Sequence, residues 1–486
     1  MTSSSGNFPA RHLLRGFLVA AAGSFGVMAA QLVYAVLTSR LLLPRSFGAY
    51  AVGLSGISLV SLISGASIGQ AVARREDSSE TLDQAASTIA LLVGIGAATL
   101  AFILAPFWSR LWGIPEAVSV TRLMAAGIPF TAYSAVLAGI LRRHGRVARA
   151  AVRAALGQVV GVVMGLSTVF ATRATWALGV ASVVGLAAST AMLWHSVSPN
   201  RRGLSIPRRS AFQDARYAAK TGGMDLLRHA TNLLPAWTIG RFVGVDALGS
   251  FNRATTMLTI PAENVQRSLS YAVFPEMRPG GPIVRSQTAF TDLMVLATWA
   301  AVIAGGIGYA AAGPFLTLLL GPTWLAAATV GGYALLIGVI PMMTVPMSAM
   351  LESRNNFKIT LIAWQVGAIA VAWGCIQSAL TASMTPAVIG VLVSVGLRIP
   401  LYLGATVKIG ALDFGLYLRS VWPIVASQVV VTVGMVSIKS ALDSSPAWAV
   451  LLILTAISAV EMVTLYLIRR KTAFGRVATS RGLPGF

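Results

Sequence analysis

Apolar residues in this chain do not alternate with polar ones. They arrive in blocks of about 20 residues, the length that crosses a bilayer core as an α-helix. No β-barrel alternation is present, so each crossing segment must satisfy its backbone polar groups within a helix. Fourteen such blocks are read, at approximately 13–38, 47–72, 84–108, 120–141, 151–172, 174–194, 221–243, 248–274, 290–312, 326–351, 358–380, 384–406, 418–438 and 446–468. Pro-, Gly- or charge-bearing turns separate most of them. The pattern predicts an all-α polytopic membrane protein. Gly157, Gly161 and Gly165 mark a close helix approach. Pro129, Pro235, Pro261, Pro341 and Pro346 mark bends inside or near the ends of helices.

The turn after the first block, RLLLPRSFGAY (Arg40–Tyr50), is echoed 201 positions later by RFVGVDALGSF (Arg241–Phe251). At that offset Phe47 meets Leu248, Gly48 meets Gly249 and Tyr50 meets Phe251. Internal repetition in a membrane protein points to a transporter built from two related halves. The expected organisation is an N-terminal lobe at 1–200 (helices 1–6), a basic cytoplasmic linker at 201–220, and a C-terminal lobe at 221–410 (helices 7–12). Two further helices and a cytoplasmic tail follow at 411–486.

Composition agrees: 56% of residues are hydrophobic, only 11% are charged, and mean hydropathy is +0.76. A soluble protein carries about 25% charged residues. The net charge of +22 would suggest nucleic acid in a soluble chain. Here it reads as topology, because basic residues hold loops on the cytoplasmic side. With Met1 inside, 27 of the 37 Lys and Arg fall on inner segments, 8 on outer segments (Arg253 among them) and 2 within helices. Both termini are therefore expected in the cytoplasm. The basic loops also suit anionic lipid headgroups. One cysteine, Cys375, excludes a disulfide framework or a Cys/His metal cluster. The apolar run after Met1–Arg15 is too long for a signal peptide and reads as a first membrane helix.

Ionisable side chains at membrane depth cost about 2.5–3.5 kcal/mol each, so they mark function. They concentrate in the seventh and eighth blocks. Asp225, Arg228, His229 and Asn232 share one face of the seventh, at i, i+3, i+4 and i+7. Glu263 and Arg267 share a face of the eighth with Ser270 and Tyr271, and Asn264 lies beside them. Together they read as the lining of a hydrated cleft opening inward, or else as two local ion pairs. Ser24, Gln31 and Thr38 form a milder polar face on the first helix. Gln31 falls opposite Asn232 at the repeat offset, as for helices 1 and 7 facing each other across a cleft. Gln70, Arg74 and Arg75 stand at the inner mouth of the second helix, and Arg398 is a solitary cation in the twelfth. No G-x-x-x-x-G-K-[ST] loop, nucleophile elbow or paired-carboxylate site occurs, so neither ATP hydrolysis nor other enzymatic chemistry is expected.

The run SRLLLPRSFGAYAVGLSGISLVSLISGASIGQAVARRE, with its echo GRFVGVDALGSFNRATTMLTIPAENVQRSLSYAVFPEM, resembles the polysaccharide transporters of the multidrug/oligosaccharidyl-lipid/polysaccharide exporter superfamily. The resemblance implies two pseudo-symmetric six-helix lobes around a central cavity, plus two C-terminal helices. It implies a flippase for undecaprenyl-diphosphate-linked oligosaccharide in a bacterial inner membrane, serving exopolysaccharide, lipopolysaccharide or capsule assembly. Such proteins alternate access, coupled to an ion (H+ or Na+) or to the membrane potential, without a cofactor. Polysaccharide polymerase and export machinery are the implied partners. Arg228 and Arg267 would meet the diphosphate, with Asp225 and Glu263 setting their guanidinium groups and Arg74 and Arg75 at the entrance. Alternatives are a lipid II flippase, a cation-coupled multidrug exporter and a non-transporting scaffold of a glycan-synthesis complex. The exporter branch usually carries twelve helices and a carboxylate cluster in its first lobe, whereas the first helix here has no Asp or Glu.

Overall fold

The computed structural model describes residues 26, 28–64, 68–69, 72–73, 79–205, 229, 231–273, 286–442 and 445–467. Among these, the chain forms fourteen helical spans in the predicted order and no strand. They are α1 (28–41), α2 (Pro44–Ser64), α3 (Glu80–Trp112), α4 (Ala117–Arg143), α5 (Val147–Thr172), α6 (Ala177–Trp194) and α7 (231–243). Then come α8 (Val245–Val273), α9 (Gln287–Leu320), α10 (Pro322–Ser353), α11 (Phe357–Thr381), α12 (Thr385–Lys408), α13 (Phe414–Ala441) and α14 (Ala447–Leu467). Ten of the fourteen, counted over the described residues, are long and apolar enough to cross a membrane. Apolar side chains project outward all along them, with Val430 of α13 72% exposed and Leu380 of α11 75% exposed. Only lipid makes such a surface favourable. This is a multi-pass membrane protein.

The chain divides into two compact units, Met1–Gly249 and Ser250–Phe486. In the first, α3 opens at Ser79 with Glu80 and Asp83 in its first turn, where carboxylates suit the helix dipole. It closes at Gly113 (φ +71°), whose N–H reaches the carbonyls of Ser109 and Arg110. The span α4 is broken at 126–127, just before Pro129 begins its second half. α5 and α6 pack backbone to backbone. A Cβ on Gly161 would run into the Ala181 carbonyl and Gly185, and one on Gly157 into the Ser189 backbone. The glycine stripe is thus a packing seam.

The echo turns also meet within this unit. A Cβ on Gly48 would collide with the Val245 carbonyl, and a Cβ on Gly249 would collide with the Pro44 carbonyl. Pro44 and Val245 are themselves 201 positions apart, so the contact is reciprocal. Phe47 and Leu248, the paired apolar positions beside the glycines, are both fully buried.

Asp83 ties the far ends of this unit together. Its Oδ2 accepts from Arg143 Nη2 at the end of α4 (2.6 Å) and from Arg201 Nη1 in the segment after α6 (3.0 Å). The carboxylate is fully buried. Around it Gln84 Nε2 donates to the Asn200 carbonyl (2.8 Å), the Ser205 amide donates to Thr88 Oγ1 (3.1 Å), and Tyr133 donates to the Arg202 carbonyl (2.7 Å).

The second unit reuses the same devices. Ser286 caps α9 by accepting from the Ala289 amide (3.2 Å). Pro314 stands seven residues before Gly321, as Pro106 does before Gly113. α10 is broken where Pro341 follows Ile340. α11 and α12 close through Gly374 on Gly390. Arg354, at the end of α10, donates to the Ile409 carbonyl after α12 (2.8 Å), in the place Arg143 holds in the first unit. The core here is rich in Met343, Met347 and Met350 against Phe290 and Trp299.

One polar pair lies within α13 and α14. Gln428, 3% exposed, sits about 21 Å from the start of its helix and faces the carboxyl of Glu461. The two approach without full hydrogen-bond geometry, and neither amide atom of Gln428 has another partner.

Two substitutions test these contacts. Asp83→Ala leaves two largely buried arginines without their carboxylate, a loss of about 3–5 kcal/mol, and thermal unfolding in detergent should fall clearly below wild type. An unchanged midpoint would show that the arginines find other partners. Glu461→Leu should cost about 1–3 kcal/mol by stranding the Gln428 amide, and adding Gln428→Leu should restore most of it in a double-mutant cycle. Strict additivity would show that the pair does not interact.

Candidate transport site

Of the site residues read from sequence, the structure describes Gln31 on α1, His229 just before α7, Asn232 on α7, Glu263 on α8 and Arg398 on α12. His229 is half-buried and its Nε2 lies 3.2 Å from Ser58 Oγ on α2. Ser58 is one of several serines on α2, and the structure gives it a specific partner. One turn on, Asn232 is exposed. Asp225 and Arg228 lie outside the described residues. α7 finishes in a π-helical turn, Ile239–Val243, and Gly244 at φ +125° sends the chain into α8. Single π turns often interrupt helices at functional positions. Trp237 Nε1 fixes this end by donating to the Leu111 carbonyl (3.2 Å). On α1, Gln31 is half-buried.

α8 is the most polar of the long helices, and it is not among the ten apolar spans. Glu263 is exposed on it, and Asn264 Nδ2 donates to the Ile260 carbonyl (3.0 Å). The side chain of Arg267 lies outside the described set, as do Gln70, Arg74 and Arg75. Arg253 is a correction. The charge count gave it to the outer segments, but it lies within α8 and is 5% exposed, buried rather than solvated.

Arg398 on α12 is neither solitary nor snorkelling. Its guanidinium stacks 3.6 Å above the Trp364 ring of α11, and Nη2 lies 3.5 Å from Ser394 Oγ. An arginine over an indole face is stabilised without a carboxylate, and its in-plane N–H groups stay directed outward from the stack. Sequence reading passed over three polar positions: Asp83, Gln428 and Glu461. Glu461 had a plain signal, a lone carboxylate in the otherwise apolar run AWAVLLILTAISAVEMVTLYL. Among the described residues, no cluster of three or more His, Cys, Asp or Glu is arranged to hold a metal ion.

Comparison with known proteins places this framework. The fold matches the lipid II flippase MurJ in an inward closed conformation, with a TM-score of 0.71 at 11% identity, covering 92% of this chain and all of that one. It also matches an inward-facing multidrug resistance transporter of the MATE family, with a TM-score of 0.61 at 16% identity, over 81% of this chain and 98% of that one. In sequence, the chain is 26% identical over 379 residues, 74% of each protein, to the succinoglycan biosynthesis transport protein ExoT of Rhizobium meliloti (strain 1021). The model of the polysaccharide biosynthesis protein family matches residues 36–329. The chain belongs to that family, and its fold is the one shared by the MATE transporter and MurJ structures.

Proposed function

We propose that the chain is a flippase that carries an undecaprenyl-diphosphate-linked oligosaccharide from the cytoplasmic to the outer leaflet of a bacterial inner membrane. The observation that carries this reading is the match to a succinoglycan transport protein across three quarters of both chains. The task is a physical one. A diphosphate and several sugars must cross an apolar layer about 30 Å thick, and an unshielded charge there costs several kcal/mol. No covalent chemistry is required, only a polar path that opens to one side at a time.

In this reading Arg228 and Arg267 meet the diphosphate, because a guanidinium forks onto phosphate oxygens with two parallel hydrogen bonds. Asp225 and Glu263 orient them. His229, Asn232, Gln31 and Arg398 offer hydrogen bonds to sugar hydroxyls, and Gln70, Arg74 and Arg75 collect the headgroup at the entrance. Both termini lie in the cytoplasm. A potential negative inside favours outward movement of an anionic headgroup by about 2.3 kcal/mol per charge per 100 mV. The potential is therefore a sufficient drive, and H+ or Na+ coupling is an additional one. Alternating access requires the Gly48–Gly249 contact to close and part during the cycle. A polysaccharide polymerase is the partner that consumes the flipped unit. The MurJ-like fold favours a second reading, with lipid II as the substrate.

The test is the leaflet distribution of lipid-linked glycan in inner-membrane vesicles of known orientation. Deleting the gene should strand undecaprenyl-linked oligosaccharide on the cytoplasmic leaflet, and the wild-type gene should reverse this. Arg228→Ala, inserted at normal abundance, should not. Stranded lipid II in place of the oligosaccharide would select the second reading, and unchanged sidedness of both would overturn the first.

A further inference from the structure

Away from the candidate transport residues, the first unit carries a cavity of about 120 Å³ where the end of α4 meets the segment after α6. Its floor is apolar, made by Ile140, Leu141 and Val197. Its walls are His144, Arg146, Ser196, Ser198 and Arg201. No carboxylate among the described residues lines it. That volume is enough to admit a phosphate group.

The walls are held in place. Arg201 is anchored through Nη1 on the buried Asp83 carboxylate. His144 is fixed by Nδ1–H donating to the Ile140 carbonyl (2.8 Å), and Gly145 at φ +71° turns the chain so that Arg146 follows at the rim. Ser196 has its hydroxyl proton committed to the Met192 carbonyl (2.9 Å), so it shapes the wall. Next to the cavity, Arg202 is stacked 3.7 Å above the Trp194 ring. Two arginines and the Ser198 hydroxyl thus supply donors around a half-open space, and the anchoring of Arg201 means that little of its side-chain freedom is lost when an anion enters. Beyond the rim, Arg149 and Arg153 continue the positive face of α5 into solvent.

We propose that this cavity is a binding site for a phosphate group, presented by an anionic membrane phospholipid or by a soluble phosphate. Asp83 and Glu80 offset Arg143 and Arg201, so the uncompensated positive charge at the cavity is that of Arg146, with exposed Arg149 and Arg153 beyond it, a pattern that suits anionic headgroups. The cavity lining shares no residue with the proposed flipping path.

The experiment compares the full-length protein with Arg146→Gln and Arg149→Gln. Arg146 is exposed and makes no side-chain contact that holds the fold together, so both variants should fold. Native mass spectrometry after exchange into phosphatidylglycerol or phosphatidylcholine counts retained lipids. Thermal unfolding in inorganic phosphate reads the soluble ligand. If lipid is the source, wild type retains a phosphatidylglycerol that Arg146→Gln binds about tenfold more weakly, while Arg149→Gln retains it. If soluble phosphate is the source, the same ranking appears in the phosphate-induced rise of unfolding temperature and not in lipid retention. The proposal is overturned if Arg146→Gln matches wild type in both, or if Arg149→Gln loses as much as Arg146→Gln, which would mean a diffuse positive surface.

Discussion

Two backbones touch where α2 and α8 begin, and they touch because Gly48 and Gly249 have no side chains. Each glycine abuts the carbonyl of the residue that stands four positions before the other, Pro44 on one side and Val245 on the other. Any Cβ would push the turns apart. The buried Phe47 and Leu248 then pack beside the glycines, and the starting points of α2 and α8 follow from there. In a bilayer, where helices gain little from hydrophobic attraction, such close approach is a main source of association.

The rest of each unit is built on repeated local devices. A capped helix with a late proline, a helix broken at its middle and a glycine-seamed pair occur in both. So does an arginine at the end of the fourth helix that ties it to another part of the unit. In the first unit that arginine meets Asp83, and in the second it meets a carbonyl. The carboxylate allows the first unit to hold a second arginine as well, and that difference creates the basic cavity. Shared architecture thus carries a feature particular to one half.

The fourteen spans were legible because a membrane helix announces itself by length and apolarity, and Pro129 and Pro341 marked the two breaks. The glycine turns were legible through their exact spacing of 201. The repeat faded further along, since Pro106 and Pro314 stand 208 apart, and drift of a few residues in loop length hides it from a fixed offset. Arg253 was misplaced because charge counting cannot tell a packed helix end from a solvated loop. Asp83 was hidden for a related reason: at the start of a helix a buried ion pair and a solvated dipole partner look alike in sequence. Arg398 was read as a solitary cation, but its Trp364 partner belongs to another helix, 34 positions away, and only folding shows the pairing. His229 found Ser58 in the same way, at a separation of 171 positions.

In the proposed transport cycle the two glycine turns come together and part. This is tested most directly by lipid-linked oligosaccharide translocation in proteoliposomes containing Gly249→Val, with Gly404→Val as the control. A Cβ at Gly404 meets no atom within 4 Å among the described residues. The account predicts that Gly249→Val inserts and purifies normally yet fails to translocate, while Gly404→Val works at the wild-type rate. Wild-type translocation by Gly249→Val would contradict it.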